Sequence, residues 1–222
     1  MDVKMGLGRP STPPYTLNSA VDSLLKNEFD LLREKGQKHE LVEKYGLDCI
    51  PFSHPDLPQW RGEVKAYEGA LVTDEKTNLT INGLVDDLWK DKDGNVVIVD
   101  YKATSTTKEI SLDDEYKQSY KRQMEVYQWI FRKLGFKVSN TGYFVFANAL
   151  KNLPKFDGRL EFAMSIIPYT GSDKWVPLTL LEIKETLESK DIPDPSYECE
   201  YCAYKKMSVQ AVADLKKASS KG

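Results

Sequence analysis

Gly83-Leu-Val-Asp-Asp-Leu-Trp-Lys-Asp-Lys-Asp-Gly-Asn-Val-Val-Ile-Val-Asp-Tyr-Lys-Ala103 is the stretch that decides the fold. At its centre, Asp91-Lys-Asp-Gly-Asn95 spells a hairpin turn, with Asp93-Gly94 as the strongest local signal. Behind the turn, Val96 to Val99 is apolar without a break, the pattern of a strand covered on both faces. Ahead of it, the run from Leu79 to Trp89 reads as one strand rich in β-branched residues. The turn makes these strands neighbours. Asp100 and Lys102 alternate with Tyr101, so their side chains leave one face and Tyr101 the other. Asp86, near the end of the first strand, then converges with Asp100 beside the Lys102 ammonium.

Working outward, Asp113 to about Leu134 reads as a helix. Tyr116, Tyr120, Met124, Tyr127, Ile130, Phe131 and Leu134 recur at helical intervals, and Gly135 ends the run. Two further strands follow, roughly Val138–Ala147 and Leu160–Pro168, then a helix near Leu178–Leu187. Upstream, Ser19 to about Lys35 is helical through Val21, Leu24, Leu25, Phe29, Leu31 and Leu32. Ser53 to Arg61, with two prolines, is an irregular connector. This order describes an α/β protein with a mixed central sheet flanked by helices. Residues 1–15, rich in Gly and Pro, read as a poorly ordered tail. A single domain is expected over 16–207, with a helical part to about 62, a core over about 63–190 and a cysteine-bearing segment over 191–207. Residues 208–222 form a tail, helical for a short stretch after Lys205 and then frayed.

A chain of 222 residues, 41% hydrophobic and 29% charged, suits one soluble globular domain. Its longest apolar runs fall far short of the ~20 residues that span a bilayer. The sequence does not open on a charged-then-apolar leader, so a cytoplasmic protein without a membrane partner is expected. The net charge of −3 excludes a general nucleic-acid coating protein but leaves room for a local basic groove.

Paired carboxylates beside an ammonium suit magnesium, which takes hard oxygen ligands and keeps waters and substrate phosphates in its shell. Taken in order, Gly83-Leu-Val-Asp86, then Asp100-Tyr-Lys102, then Gln123-Met-Glu-Val-Tyr127 resemble three successive motifs of the PD-(D/E)XK nucleases, in particular the RecB-like group that includes CRISPR-associated RecB-type exonucleases. The resemblance covers about Leu79 to Phe146. It implies a restriction-endonuclease-like core, one or two Mg²⁺ or Mn²⁺ ions, and DNA as substrate. It implies Asp86, Asp100 and the Tyr101 backbone carbonyl as metal ligands and Lys102 as a catalytic group. Gln123 and Tyr127 are then expected to support the lysine or the substrate backbone. A helicase or a CRISPR or repair protein is implied as partner, and any motor would be a separate chain. A catalytically silent nucleic-acid- or partner-binding module of the same fold is the competing reading, and the intact Asp86, Asp100 and Lys102 speak against it.

Gln123 interrupts an otherwise apolar helical stripe, so its amide needs a partner. Lys108, Lys117, Lys121 and Arg122 are candidates for phosphate contacts, or else a solvated face. Cys199-Glu-Tyr-Cys202 follows Pro193 and Pro195, in a segment expected to be a turn. With His39 and His54, the two cysteines would complete a tetrahedral zinc set. The family resemblance offers an iron–sulfur cluster as the less favoured use, with Cys49 as a third thiolate and none left for a fourth. It also offers His39 as a metal-binding histidine ahead of the Gly83-x-x-Asp86 strand. Packed thiols and surface histidines are the plain alternative. A redox role is weakened by the expected lack of a helix start beside the cysteines.

Overall fold

The computed structural model describes residues 15–219. They belong to two compact units, Met1–Glu182 and Ile183–Gly222, with the division inside a helix. The expected N-terminal tail lies, but for Tyr15, outside the described residues.

The first unit opens with helix α1 (Thr16–Lys35), closed by Gly36 in the left-handed conformation, and the short helix α2 (Glu40–Lys44). Strand β1 (Cys49–Pro51) and one turn of helix α3 (Leu57–Trp60) follow. Strands β2 (Ala70–Thr73) and β3 (Thr80–Gly83) pair only with each other. Then come β4 (Asp87–Asp91), β5 (Val96–Thr104), a 3-10 turn (Glu115–Lys117) leading into helix α4 (Gln118–Lys133), β6 (Thr141–Ala149) and β7 (Phe162–Thr170). Helix α5 (Val176–Glu188) spans the division. The main sheet runs β1-β4-β5-β6-β7, antiparallel except for the β5–β6 pair, which is parallel. The crossover that a parallel pair requires is α4. This is the mixed sheet flanked by helices that the sequence implies, in the restriction-endonuclease-like arrangement.

Strand β5 shows why the sheet sits where it does. Val96 and Ile98 point into a core with Met124, Ile130 and Phe131 of α4. Val97, Val99 and Tyr101 point into a second core with Leu25 and Phe29 of α1 and Leu41 and Val42 of α2. An uninterrupted apolar strand is the sequence form of this double burial. The hairpin ahead of it is locked by Asp91, whose carboxylate accepts from the backbone N–H of Asp93 and Asn95 and from the Asn95 amide. Gly94 supplies the positive φ of 79° the turn needs.

The run Leu79–Trp89 departs from expectation. It is two strands in two sheets, broken at Leu84–Asp86. Gly83 lies hard against α4: a Cβ there would meet Ile130 Cδ1 at 2.8 Å and the Tyr127 ring at 3.0 Å. The chain passes under the helix and re-emerges in the main sheet. At the crossing Val85 N–H donates to the Trp60 carbonyl and Arg61 Nε–H to the Asp86 carbonyl.

Helix α4 begins later than its sequence pattern suggests. Tyr116 is exposed in the 3-10 turn and Leu134 is an exposed cap, so neither belongs to the buried stripe. Glu125 is buried instead, accepting from Tyr169 Oη, Ser172 N–H and Trp175 Nε1. It ties α4 to the β7–α5 connection. In the second unit, helix α6 (Glu200–Ser219) begins well before the expected short helix after Lys205.

Candidate active site

Adjacent aspartates part company at the break after β3. Asp87 turns into the protein and is fully buried. Its Oδ1 accepts from Arg33 Nη2 at 2.5 Å, Arg61 Nη2 at 2.8 Å and its neighbour Leu88 N–H at 2.8 Å. Its Oδ2 accepts from Trp89 Nε1 and Tyr101 Oη. So many donors satisfy both oxygens of a buried carboxylate. The same Arg61 holds the Asp86 carbonyl through Nε at 3.0 Å, so the hub fixes the backbone from which Asp86 projects.

Asp86 turns the other way, into a cavity of about 370 Å³ that it lines with Asp100, Tyr101, Lys102, Tyr120, Gln123 and residues of α1. Its Oδ2 accepts the Tyr101 backbone N–H at 2.8 Å. In an extended strand the N–H and C=O of one residue share an edge, so the Tyr101 carbonyl is turned to the Asp86 side. Asp100 Oδ2 is ion-paired with Lys102 Nζ, yet this buried oxygen has no aligned hydrogen-bond donor. Lys102 Nζ donates to Gln123 Oε1 at 3.3 Å and lies 4.5 Å from the centre of the Tyr120 ring. Gln123 Nε2 donates in turn to Tyr127 Oη at 2.9 Å. The misplaced glutamine therefore links the lysine to Tyr127. Asp86, Asp100, Lys102, Gln123 and Tyr127 come together as the sequence reading expects.

Burial and the facing Asp100 carboxylate push the Asp86 carboxyl up to about 7. Burial raises Asp100 as well, against the pull of Lys102. Burial, Asp100 and Asp86 raise the Tyr127 phenol. Two carboxylates forced together out of water call for a cation.

Sequence reasoning missed two residues here. Lys26 Nζ on α1 is 2.8 Å from Asp22 Oδ2 and 3.8 Å from Asp86 Oδ1, and Asp22 lines the cavity. An Asp and a Lys four apart on a helix read as an ordinary surface pair. Only the fold brings Asp86 against them.

The model of the PD-(D/E)XK nuclease superfamily matches residues 10–207. The chain belongs to this superfamily. Its members are metal-dependent phosphodiester hydrolases that generally use Mg²⁺ or Mn²⁺. No curated protein matches the chain. Among solved structures, the crystal structure of SSO0001 is 18% identical, with a TM-score of 0.33, over 61% of this chain and 54% of that one. The chain thus spans about half the length of that protein.

The donor set fits the superfamily's metal. Asp86, Asp100 and the Tyr101 carbonyl are hard oxygen donors, and two carboxylates lining one cavity are the ligands such a cation takes.

Of the expected zinc set, His39 and His54 belong to the first unit and Cys199 and Cys202 to the second. Among the described residues no group of three or more His, Cys, Asp or Glu side chains is placed to hold a metal. His39 is buried as the N-cap of α2: Nδ1 accepts the Leu41 N–H, Nε2 contacts Glu28 Oε1 at 2.8 Å, and the ring stacks on Phe29. Both ring nitrogens are engaged, and His39 is not among the residues lining the cavity with Asp86 and Asp100. His54 Nδ1 accepts the Asp56 N–H and its ring stacks on Trp60. Cys49 is buried in β1, where desolvation and Asp91 and Asp48 push its thiol up to about 11, against thiolate ligation. In the second unit Cys199 and Cys202 stand at the start of α6, not in a plain turn. Hydrogen bonds from Cys202 hold the Cys199 thiol below its ordinary value.

The basic candidates also divide. Lys117 is buried, donating to the Ser111 carbonyl at 2.6 Å and pairing with Asp114, so it fastens the turn before α4. Lys108 and Arg122 are exposed, and Lys121 Nζ lies 5.8 Å from the Tyr169 ring centre. Lys108 lines a second, smaller cavity of about 140 Å³ that also includes Lys102 and Tyr120.

Proposed function

We propose that the chain hydrolyses phosphodiester bonds in DNA in the manner of RecB-like exonucleases, with a divalent cation held by Asp86, Asp100 and the Tyr101 carbonyl. The observation that carries this reading is the convergence of the Asp86 and Asp100 carboxylates in one cavity beside the Lys102 ammonium. The three motifs in RecB-like order support the subtype, and exposed Lys108 and Arg122 support a nucleic-acid substrate.

Asp86, Asp100 and the Tyr101 carbonyl would hold the divalent cation, which would supply polarisation of the scissile phosphate and a lowered pKa of a coordinated water. The protein's own groups do the rest. Lys102, fixed by Asp100, Gln123 and Tyr120, keeps a positive charge beside the place where charge grows in the transition state. Asp86 is held to one orientation by the Tyr101 N–H and by the Arg61 clamp on its backbone. Tyr127 fixes the Gln123 amide so that its oxygen faces the lysine. Preorganisation of this kind avoids reorganisation during the reaction.

The test is a cleavage panel over single- and double-stranded DNA and RNA, with free and blocked ends, in Mg²⁺, Mn²⁺ or chelator. Metal-dependent loss of DNA from free ends is expected. Asp100→Ala and Lys102→Ala should abolish it while leaving circular dichroism unchanged. Cleavage at the wild-type rate in either variant refutes the assignment, and preference for RNA or for blocked ends refutes the substrate.

A further inference from the structure

Lys26 is a strange neighbour for a metal-binding carboxylate. Its ammonium lies between Asp22 Oδ2, at 2.8 Å, and Asp86 Oδ1, at 3.8 Å, and its side chain is only 16% exposed. A solvated i, i+4 helix pair would leave the lysine free in water, whereas this one is turned toward the cavity's carboxylates. Two of these pair with it, Asp22 and Asp86, and Asp100 lines the same cavity. Asp22 and Asp86 share the cavity wall and present one oxygen each toward a common cation position. Lys26 fills that position with a charge covalently tied to α1.

We infer that Lys26 stands in for a second metal ion, so that the site takes one divalent cation per chain. The inference rests on the proposed function, because it assumes that Asp86 and Asp100 bind metal. Charge balance supports it. Counted at their formal charges, as metal ligation requires, Asp22, Asp86 and Asp100 contribute three negative charges against the two positive charges of Lys26 and Lys102. One divalent cation and one scissile phosphate bring the site to neutrality. A second divalent cation would leave it strongly positive and would stand within a few ångströms of an ammonium, where like-charge repulsion is large in a partly buried site. Two-metal nucleases place their ions ~3.5–4 Å apart, one on each side of the scissile phosphate. Here an ammonium takes the side of Asp86 that faces α1, and Asp100 with Lys102 takes the other.

Counting bound Mn²⁺ on the intact protein, by equilibrium dialysis and by electron paramagnetic resonance, tests this without any activity readout. Wild type and Lys26→Arg should each bind one ion per chain and give the spectrum of an isolated Mn²⁺. Lys26→Gln should bind two, with the broadened spectrum of a coupled pair. Adding Asp22→Asn to Lys26→Gln should return the count to one. Circular dichroism of each variant checks that it is folded. Two ions on the wild type, or one on folded Lys26→Gln, overturns the inference and leaves the hydrolase reading standing. Absence of any bound Mn²⁺ on the wild type overturns both.

Discussion

Gln123 uses both ends of its amide, one toward Lys102 and one toward Tyr127. Tyr127→Phe removes the acceptor for Nε2 and frees the amide to turn. The expected result is a fall in kcat of roughly tenfold with DNA affinity kept, since a small misplacement of a catalytic group costs up to ~10²-fold. Gln123→Ala should cost more, because the lysine then loses a contact outright, and single-turnover rates with saturating DNA would measure both. Equal loss of binding and rate would place these residues on the substrate instead. Asp87 is a different case. Asp87→Ala takes the buried carboxylate away from Arg33 and Arg61 and leaves them the half-exposed Asp30 as shared counter-ion, a loss of up to about 3–5 kcal/mol, the range for removing one member of a buried pair. Urea unfolding would show it as a lowered midpoint. At this scale the sequence was informative where chemistry is local. Asp100-x-Lys102 on an apolar strand and the glutamine in an aromatic stripe could both be read. Asp22 and Lys26 could not, because their partner is Asp86, far along the chain and joined to them only by folding. His39 caps α2 and stacks on Phe29, a use that residue identity alone does not distinguish from metal ligation.

The break between β3 and β4 shows why elements were less legible than residues. Leu79–Trp89 carries strand-forming residues throughout, and nothing in their identities marks the point where pairing passes from one sheet to another. Gly83 is the one clue. A side chain there would collide with Ile130 and Tyr127. Gly83→Ala should therefore destabilise the protein by about 1–3 kcal/mol, the usual range for overpacking. It should also impair cleavage, since the helix it displaces carries Gln123. A thermal melt and a rate measurement on one preparation would test both, and an unchanged melting temperature would contradict the packing argument. Strand β5 was readable because double burial demands an unbroken apolar run, and the hairpin because Asp-Gly has few other uses. Strand β1, three residues long, is below the length at which any period can be seen. Helix α6 begins at Glu200, soon after Pro193 and Pro195, whose turn signal conceals its first residues.

Across the whole molecule, Asp86 and Asp100 are two carboxylates that share one cavity. Asp86 titrates near 7 in the metal-free protein and near ~3.9 in an unfolded chain. Between those values the folded state holds a proton that the unfolded state lacks, so stability falls as pH rises from about 4 to 7. Above that window the repulsion is fully present, and Mg²⁺ should relieve it. Thermal melts at pH 5 and pH 8, with and without Mg²⁺, should show a larger gain from the metal at pH 8. An equal gain at both would argue that Asp86 does not bind it. The neighbouring Asp87, by contrast, is committed to arginines on the opposite side. Consecutive residues with such different destinations leave the polypeptide no slack. Inserting or deleting one amino acid between Gly83 and Asp87 would exchange their destinations, sending the groove's carboxylate among the arginines and the arginines' counter-ion out toward the phosphate. Spacing in this stretch is as binding a requirement as composition.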